Sequence, residues 1–250
     1  MRVVVYVLCY DDHSEARARD EYGVLPWARV LRLPTTTEHN KYMEGQVFLG
    51  LLESLKHEWE DADFVGTISW KASDKIDVPD MQELCQRAMD GQAISLFFLP
   101  EVTVGYSVMA HPRFLQVWVP LLTQMGYAVD DAVSPEFPLL AGNYWLTKPA
   151  LMSQFCEFYK RAVQVLETHQ PLQHALWSDS CYATHLTSDQ CMEIYGRPYI
   201  THHPFVCERL AGFFFWKHQV KVLKLLDSSY KFWVHLYGPE RAQELINAIG

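Results

Sequence analysis

Val3 to Tyr10 is an unbroken apolar, β-prone run, and it constrains the fold more than any other stretch of the chain. A half-exposed strand alternates apolar and polar residues. A continuous run this short fits a strand covered on both faces, as in a parallel sheet with helices on either side. The rest of the pattern agrees. Pro26–Leu33, Asp63–Trp70, Ala93–Leu99 and Ala141–Leu146 read as further strands, and helical spacing over Glu15–Tyr22, Tyr42–Trp59, Asp80–Met89, Pro112–Met125 and Ala150–Glu167 falls between and after them. Met43, Val47, Leu51 and Leu55 repeat at helical spacing, and Pro149 suits the first turn of a helix. Beyond residue 170 the sequence reads as mostly helical: Ala175–Leu186, Asp189–Tyr195, a piece after Pro204, Val220–Tyr237 and Pro239–Ile249. The expected class is therefore α/β, three-layered and Rossmann-like, with a mainly parallel central sheet and a helical C-terminal cap. No repeat, low-complexity stretch or linker divides the chain, so residues 1–250 are expected to form a single domain.

Composition narrows the function. Lys and Arg number 21 against 30 Asp and Glu, a net charge of -9, which does not supply the basic field that grips nucleic acid. A 49% hydrophobic and 20% charged chain is not mostly disordered. No apolar run reaches the roughly 18 residues of a membrane span, and Asp11-Asp12-His13 after the first strand is no signal cleavage site. The six cysteines show no C-x-x-C pair and read as buried small hydrophobes. The expected compartment is the cytoplasm.

Phosphate-loop, dinucleotide, nucleophile-elbow and zinc-protease signatures are all absent. Several weaker features remain. Asp11 and Asp12 follow the first strand at the edge where open α/β sheets bind ligands, although Asp11 or Ser14 would equally cap a helix. Asp61-Ala62-Asp63 is a D-x-D that suits a hard divalent cation, yet it precedes a strand instead of following one. Trp70, Lys71 and Lys75 follow that strand. The lysines can neutralise phosphate oxygens and the indole can stack on a base, or the three form an ordinary surface loop. Asn143, Tyr144 and Trp145 form a polar-aromatic patch suited to sugar rings, with aromatic core as the alternative for Trp145. Asp179 and Glu208 are candidate general bases, and Glu208-Arg209 is equally a structural ion pair. The adjacent His202-His203 pair reads as a turn before Pro204.

In order, the Asp-Asp end of the first strand, Phe64–Lys71, Asn143-Tyr144-Trp145 with Lys148-Pro149, and His203–Leu210 resemble small GT-A-type glycosyltransferases of large algal viruses and bacterial polysaccharide clusters. The resemblance covers roughly residues 3–216. It implies a nucleotide-sugar-binding half over 1–100, an acceptor-binding half and cap over 101–250, and transfer of a sugar from a nucleotide-diphosphate donor to a glycan or other hydroxyl acceptor in the cytoplasm, that of the host for a viral chain. Asp11, Asp12, Trp70, Lys71 and Lys75 would then bind the nucleotide, and Asn143, Tyr144, Trp145 and His203 the sugar and acceptor. Asp179, or after it Glu208, would take the acceptor proton. Such families hold Mn²⁺ or Mg²⁺ on a D-x-D. None follows Ala93–Leu99 here, where Pro100-Glu101 stand, so either Asp61 and Asp63 hold the metal or Lys71 and Lys75 replace it. The rivals are a non-catalytic sugar- or nucleotide-binding protein, and a glycoside hydrolase using a carboxylate pair.

Overall fold

The computed structural model describes residues 1–88, 92–99, 103–182 and 186–249. Six strands form a mixed, mostly parallel sheet: β1 (Val3–Cys9), β2 (Ala28–Arg32), β3 (Phe64–Ser69), β4 (Gln92–Ser95), β7 (Trp145–Thr147) and β8 (Lys221–Lys224). Their spatial order is β2-β1-β3-β7-β4-β8, and β7 alone runs against its neighbours. A separate antiparallel pair is made by β5 (Phe98–Leu99) and β6 (Leu139–Leu140). All seven residues of β1 are buried, as a strand between two helical layers requires.

Side-chain alternation assigns the layers. Val4, Tyr6 and Leu8 of β1, with Val65, Ala93 and Trp145, join a core that includes the helices Phe114–Gln124, Pro149–Thr168 and His203–Lys217. Val3, Val5 and Val7, with Phe64, Ile94 and Leu146, face the opposite core, built with Asp12–Tyr22, Met81–Arg87 and Trp233. Strands from both ends of the chain share the one sheet, since β7 pairs with β3 and β4 while β8 pairs with β4. No helix among the described residues is long and apolar enough to cross a membrane.

Four expectations about elements are corrected. Tyr42–Trp59 is not one helix: it is a 3₁₀ segment, Met43–Leu49, followed by the short helices Leu51–Ser54 and Lys56–Trp59. Gly50 breaks it at φ 129°, a conformation that favours glycine, while the successive turns keep their apolar side chains on the core face. The Ala93–Leu99 strand ends in the main sheet at Ser95, because Phe98–Leu99 turns away to pair with Leu139–Leu140. The helix expected over Ala175–Leu186 is instead Gln170–Leu176 and stops there; residues 183–185 lie outside the described residues. Finally, the C-terminal end is not purely helical. Lys221–Lys224 extends as β8 and forms the edge of the sheet before the Leu226–Tyr237 helix begins.

Candidate functional site

The carboxyl ends of β1, β3 and β4 and the amino end of the reversed strand β7 share one edge of the sheet, the edge at which open α/β sheets bind ligands. A cleft of about 400 Å³ sits at this edge of the sheet. Its floor is Phe97, just after β4, and Gly142–Tyr144, just before β7. One wall is the start of the 3₁₀ segment, with Met43 and Glu44. The other is the His203–Lys217 helix, which presents Phe205, Glu208 and Arg209 at helical spacing. Lys75, His111, Tyr182 and Tyr195 complete the enclosure.

Backbone strain collects here. Met43 (φ 48°) and Asn143 (φ 57°) are left-handed non-glycine residues on the cleft lining. Such positions cost about 1–3 kcal/mol each and persist only where surrounding structure holds them. For Asn143 the hold is the Thr67 hydroxyl, which donates to its carbonyl at 2.6 Å.

The charged groups are fixed by partners. The Glu208 carboxylate accepts from the Gly142 N–H and from the guanidinium of Arg209. Arg209 is itself buried and donates through Nε to Ser107 Oγ at 2.9 Å. The Lys75 ammonium lies 5.7 Å from the centre of the Tyr144 ring. His111 is buried, stacked on Phe205 at 3.9 Å, and its Nδ1 meets the Ser180 carbonyl at 3.2 Å. A carbonyl only accepts, so Nδ1 carries the proton and Nε2 keeps its lone pair. Burial, the largest cause, holds the His111 pKa below the usual histidine value, with the positive charge of Arg209 adding to it. Burial followed by the charge of Glu44 pushes the Tyr144 phenol well up, and the same two causes raise Tyr195 to about 12.

The structure brings Lys75, Asn143, Tyr144 and Glu208 together in the cleft. The other candidates lie elsewhere. Trp145 is wholly buried, stacked on Phe48 at 5.5 Å and edge-on to Phe155 and Phe215, so it is core and not a sugar platform. His203 is wholly buried too: its Nδ1 meets the Thr201 hydroxyl at 2.9 Å and its ring packs on Trp177 at 4.5 Å. Asp179 is exposed and spends Oδ1 on the Cys181 N–H at 2.8 Å, away from the cleft lining; the first choice of base is corrected accordingly. Asp11 caps the Asp12–Tyr22 helix, accepting from Ser14 N–H and Oγ at 2.7 Å each, and those bonds lower its pKa. Asp12 is exposed and paired with Arg32. Trp70 lies outside the cleft lining, flanked by Lys71 at 4.7 Å and the Arg17 guanidinium at 5.3 Å.

Asp61 and Asp63 do not fit the metal role. They precede β3, at the opposite edge of the sheet from the cleft, and Asp63 accepts from the Arg2 backbone N–H at 2.7 Å. Among the described residues no group of three or more His, Cys, Asp or Glu is placed to hold a metal ion; Pro100-Glu101 lie outside those residues. Glu44 and His111 were not legible as site residues. Glu44 fell inside an expected helix with no motif around it, and His111 followed a helix, Thr103–Ala110, that no sequence signal marked.

Comparison with protein families, with curated proteins and with solved structures finds no match to the chain.

Proposed function

We propose that the chain is a glycosyltransferase of GT-A type, moving a sugar from a nucleotide-diphosphate sugar to a hydroxyl of a glycan or similar acceptor. The observation that carries this reading is the cleft at the carboxyl edge of the sheet, where a cation, a held carboxylate and a polar-aromatic floor converge in Lys75, Glu208, Asn143 and Tyr144. The sheet order, with one antiparallel strand between two parallel ones, is compatible with it.

In the proposed reaction the acceptor oxygen attacks the anomeric carbon, the bond from that carbon to the diphosphate oxygen breaks, and the nucleoside diphosphate leaves with the electron pair. Lys75 offsets the charge that builds on the leaving group. Glu208 takes the acceptor proton, its orientation set by Gly142 and Arg209. Asn143 and Tyr144 orient the sugar, and Asp179 has no part. No step runs through a metal, because the residues first expected to hold one lie at the wrong edge. A second reading, a glycoside hydrolase, is favoured by one observation: two carboxylates, Glu44 and Glu208, line the same cleft.

The test is thermal unfolding with UDP, GDP, dTDP and CMP, each with and without Mn²⁺. A ligand at 100 times its Kd adds about 2.7 kcal/mol, worth roughly 5–11 °C in Tm for a chain of this size. A shift with one nucleotide, lost in Lys75→Ala, supports the transferase. No shift with any nucleotide removes it and leaves the hydrolase.

A further inference from the structure

Glu44 is a cleft carboxylate that the transfer chemistry above does not use. Its place is fixed from several sides. It follows Met43, whose left-handed backbone starts the 3₁₀ segment, and Tyr42 before it is buried and donates its hydroxyl to Glu167. Tyr144, Tyr182 and Tyr195, from three separate segments, line the same cleft as Glu44, and its charge adds to burial in raising their phenol pKa values and that of Tyr10. Among the described residues no cation is paired with Glu44, whereas the other cleft carboxylate, Glu208, is paired with Arg209. The two carboxylates therefore differ in what they offer a ligand. Glu208 is ion-paired and already accepts from Gly142 and Arg209. Glu44 has no such cation and, beside its hydrogen bond with Tyr10, leaves most of its roughly four acceptor positions open.

We propose that Glu44 is the specificity-determining residue of the cleft, taking two adjacent hydroxyls of a neutral sugar ring on its two carboxylate oxygens and excluding uronic and other anionic sugars.

The chemistry is direct. A vicinal diol presents two O–H donors with the spacing of a carboxylate, and hydrogen bonds to an ionised acceptor are the stronger kind. The aromatic rings around Glu44 cover the C–H faces of such a ring. A sugar carboxylate seated on Glu44 meets a like charge, while the two cations of the lining are placed elsewhere, Arg209 on Glu208 and Lys75 against the Tyr144 ring, which makes the contact one of selection by repulsion. The inference rests on the transferase reading only for placing a sugar in the cleft.

The experiment is saturation-transfer NMR titration of the full chain at pH 7 with methyl α-glucoside, α-galactoside and α-mannoside, and with methyl glucuronide, for the native protein and Glu44→Gln. At least one neutral glycoside is expected to bind, with the glucuronide about tenfold weaker or more. In Glu44→Gln the neutral affinity falls about fivefold or more, and the gap between neutral and anionic sugar closes to less than about threefold. The proposal is overturned if no glycoside binds, if the glucuronide binds as well as the neutral sugars, or if Glu44→Gln keeps both affinity and gap. Should Glu44→Gln fail to fold, Glu44→Asp carries the test. It keeps the charge but withdraws it by one methylene, so it must still exclude the glucuronide while losing neutral affinity, and unchanged neutral affinity overturns the proposal. Nucleotide binding is scored separately. Sugar selectivity set by Glu44 without nucleotide binding would uphold this inference and remove the transferase. Nucleotide binding with sugars indifferent to Glu44 would do the reverse.

Discussion

Lowering the pH from 7 to 5 is expected to destabilise the fold through His202, and the size follows from its surroundings. The side chain is wholly buried, and among the described residues neither ring nitrogen has a hydrogen-bond partner of good geometry. Burial is the main reason its pKa falls to about 4; the neighbouring His111 pushes the same way, and the Asp179 backbone opposes only in part. In the unfolded chain the imidazole titrates near 6.5. Between those values the unfolded state binds a proton that the folded state refuses, so stability is lost as pH falls from about 6.5 toward 4 and is fully present above that window. At pH 5 the unfolded imidazole is almost entirely protonated and the folded one is not, a penalty of about 2 kcal/mol, against about 0.2 at pH 7. His202→Phe fills a similar volume and cannot titrate. Urea unfolding of both proteins at pH 7 and pH 5 reads the difference. The native chain should lose about 2 kcal/mol more than His202→Phe over that interval. His111 and His203, whose pKa values burial also lowers, titrate in both proteins and cancel in the comparison. Equal losses in the two proteins would refute the reasoning.

Three further outcomes follow from the packing and the site. Trp145→Ala should cost about 3–5 kcal/mol in urea unfolding, because it empties a core position stacked on Phe48 and edge-on to Phe155; a loss below about 1 kcal/mol would mean the ring is not a core element. Asn143→Gly should leave stability nearly unchanged while Asn143→Val costs about 1–2 kcal/mol more, since the position is left-handed; equal stability of the two by thermal or urea unfolding would contradict that backbone. Asp63→Ala should leave nucleotide affinity and any response to Mn²⁺ unaltered, because Asp63 lies at the opposite edge of the sheet; a titration showing weaker binding would return Asp63 to the site.

The sheet was legible wherever strands are continuous apolar runs. Val3–Cys9 and Phe64–Ser69 declare themselves because both of their faces are covered. β8 was not legible: Lys221-Val222-Leu223-Lys224 is a half-buried edge strand running into a helix, and four residues alternate too briefly to separate from helical spacing. The Tyr42–Trp59 region misleads for the opposite reason, since three short turns broken at Gly50 keep the apolar face a single helix would have. Of the site, Lys75, Asn143, Tyr144 and Glu208 were found because they stand beside strand ends or in a marked helix. Trp145 and His203 could not be told from ligand-facing residues, because whether an aromatic ring points to core or cleft depends on the turn preceding it, here the left-handed Gly142–Asn143 pair. Glu44 was hidden because its importance comes from tyrosines that are distant in sequence and meet only in three dimensions.

The most direct test of sugar transfer in this cleft is to incubate the protein with pooled nucleotide sugars, with and without a mixture of neutral glycosides, and follow each donor and each nucleoside diphosphate by mass spectrometry. The account predicts that one donor is consumed, that its diphosphate appears in equal amount, that a neutral glycoside gains the sugar, and that Glu208→Gln slows this about 10²-fold or more while still binding the nucleotide. Donors that all stay intact, or consumption that Glu208→Gln leaves unchanged, would contradict it.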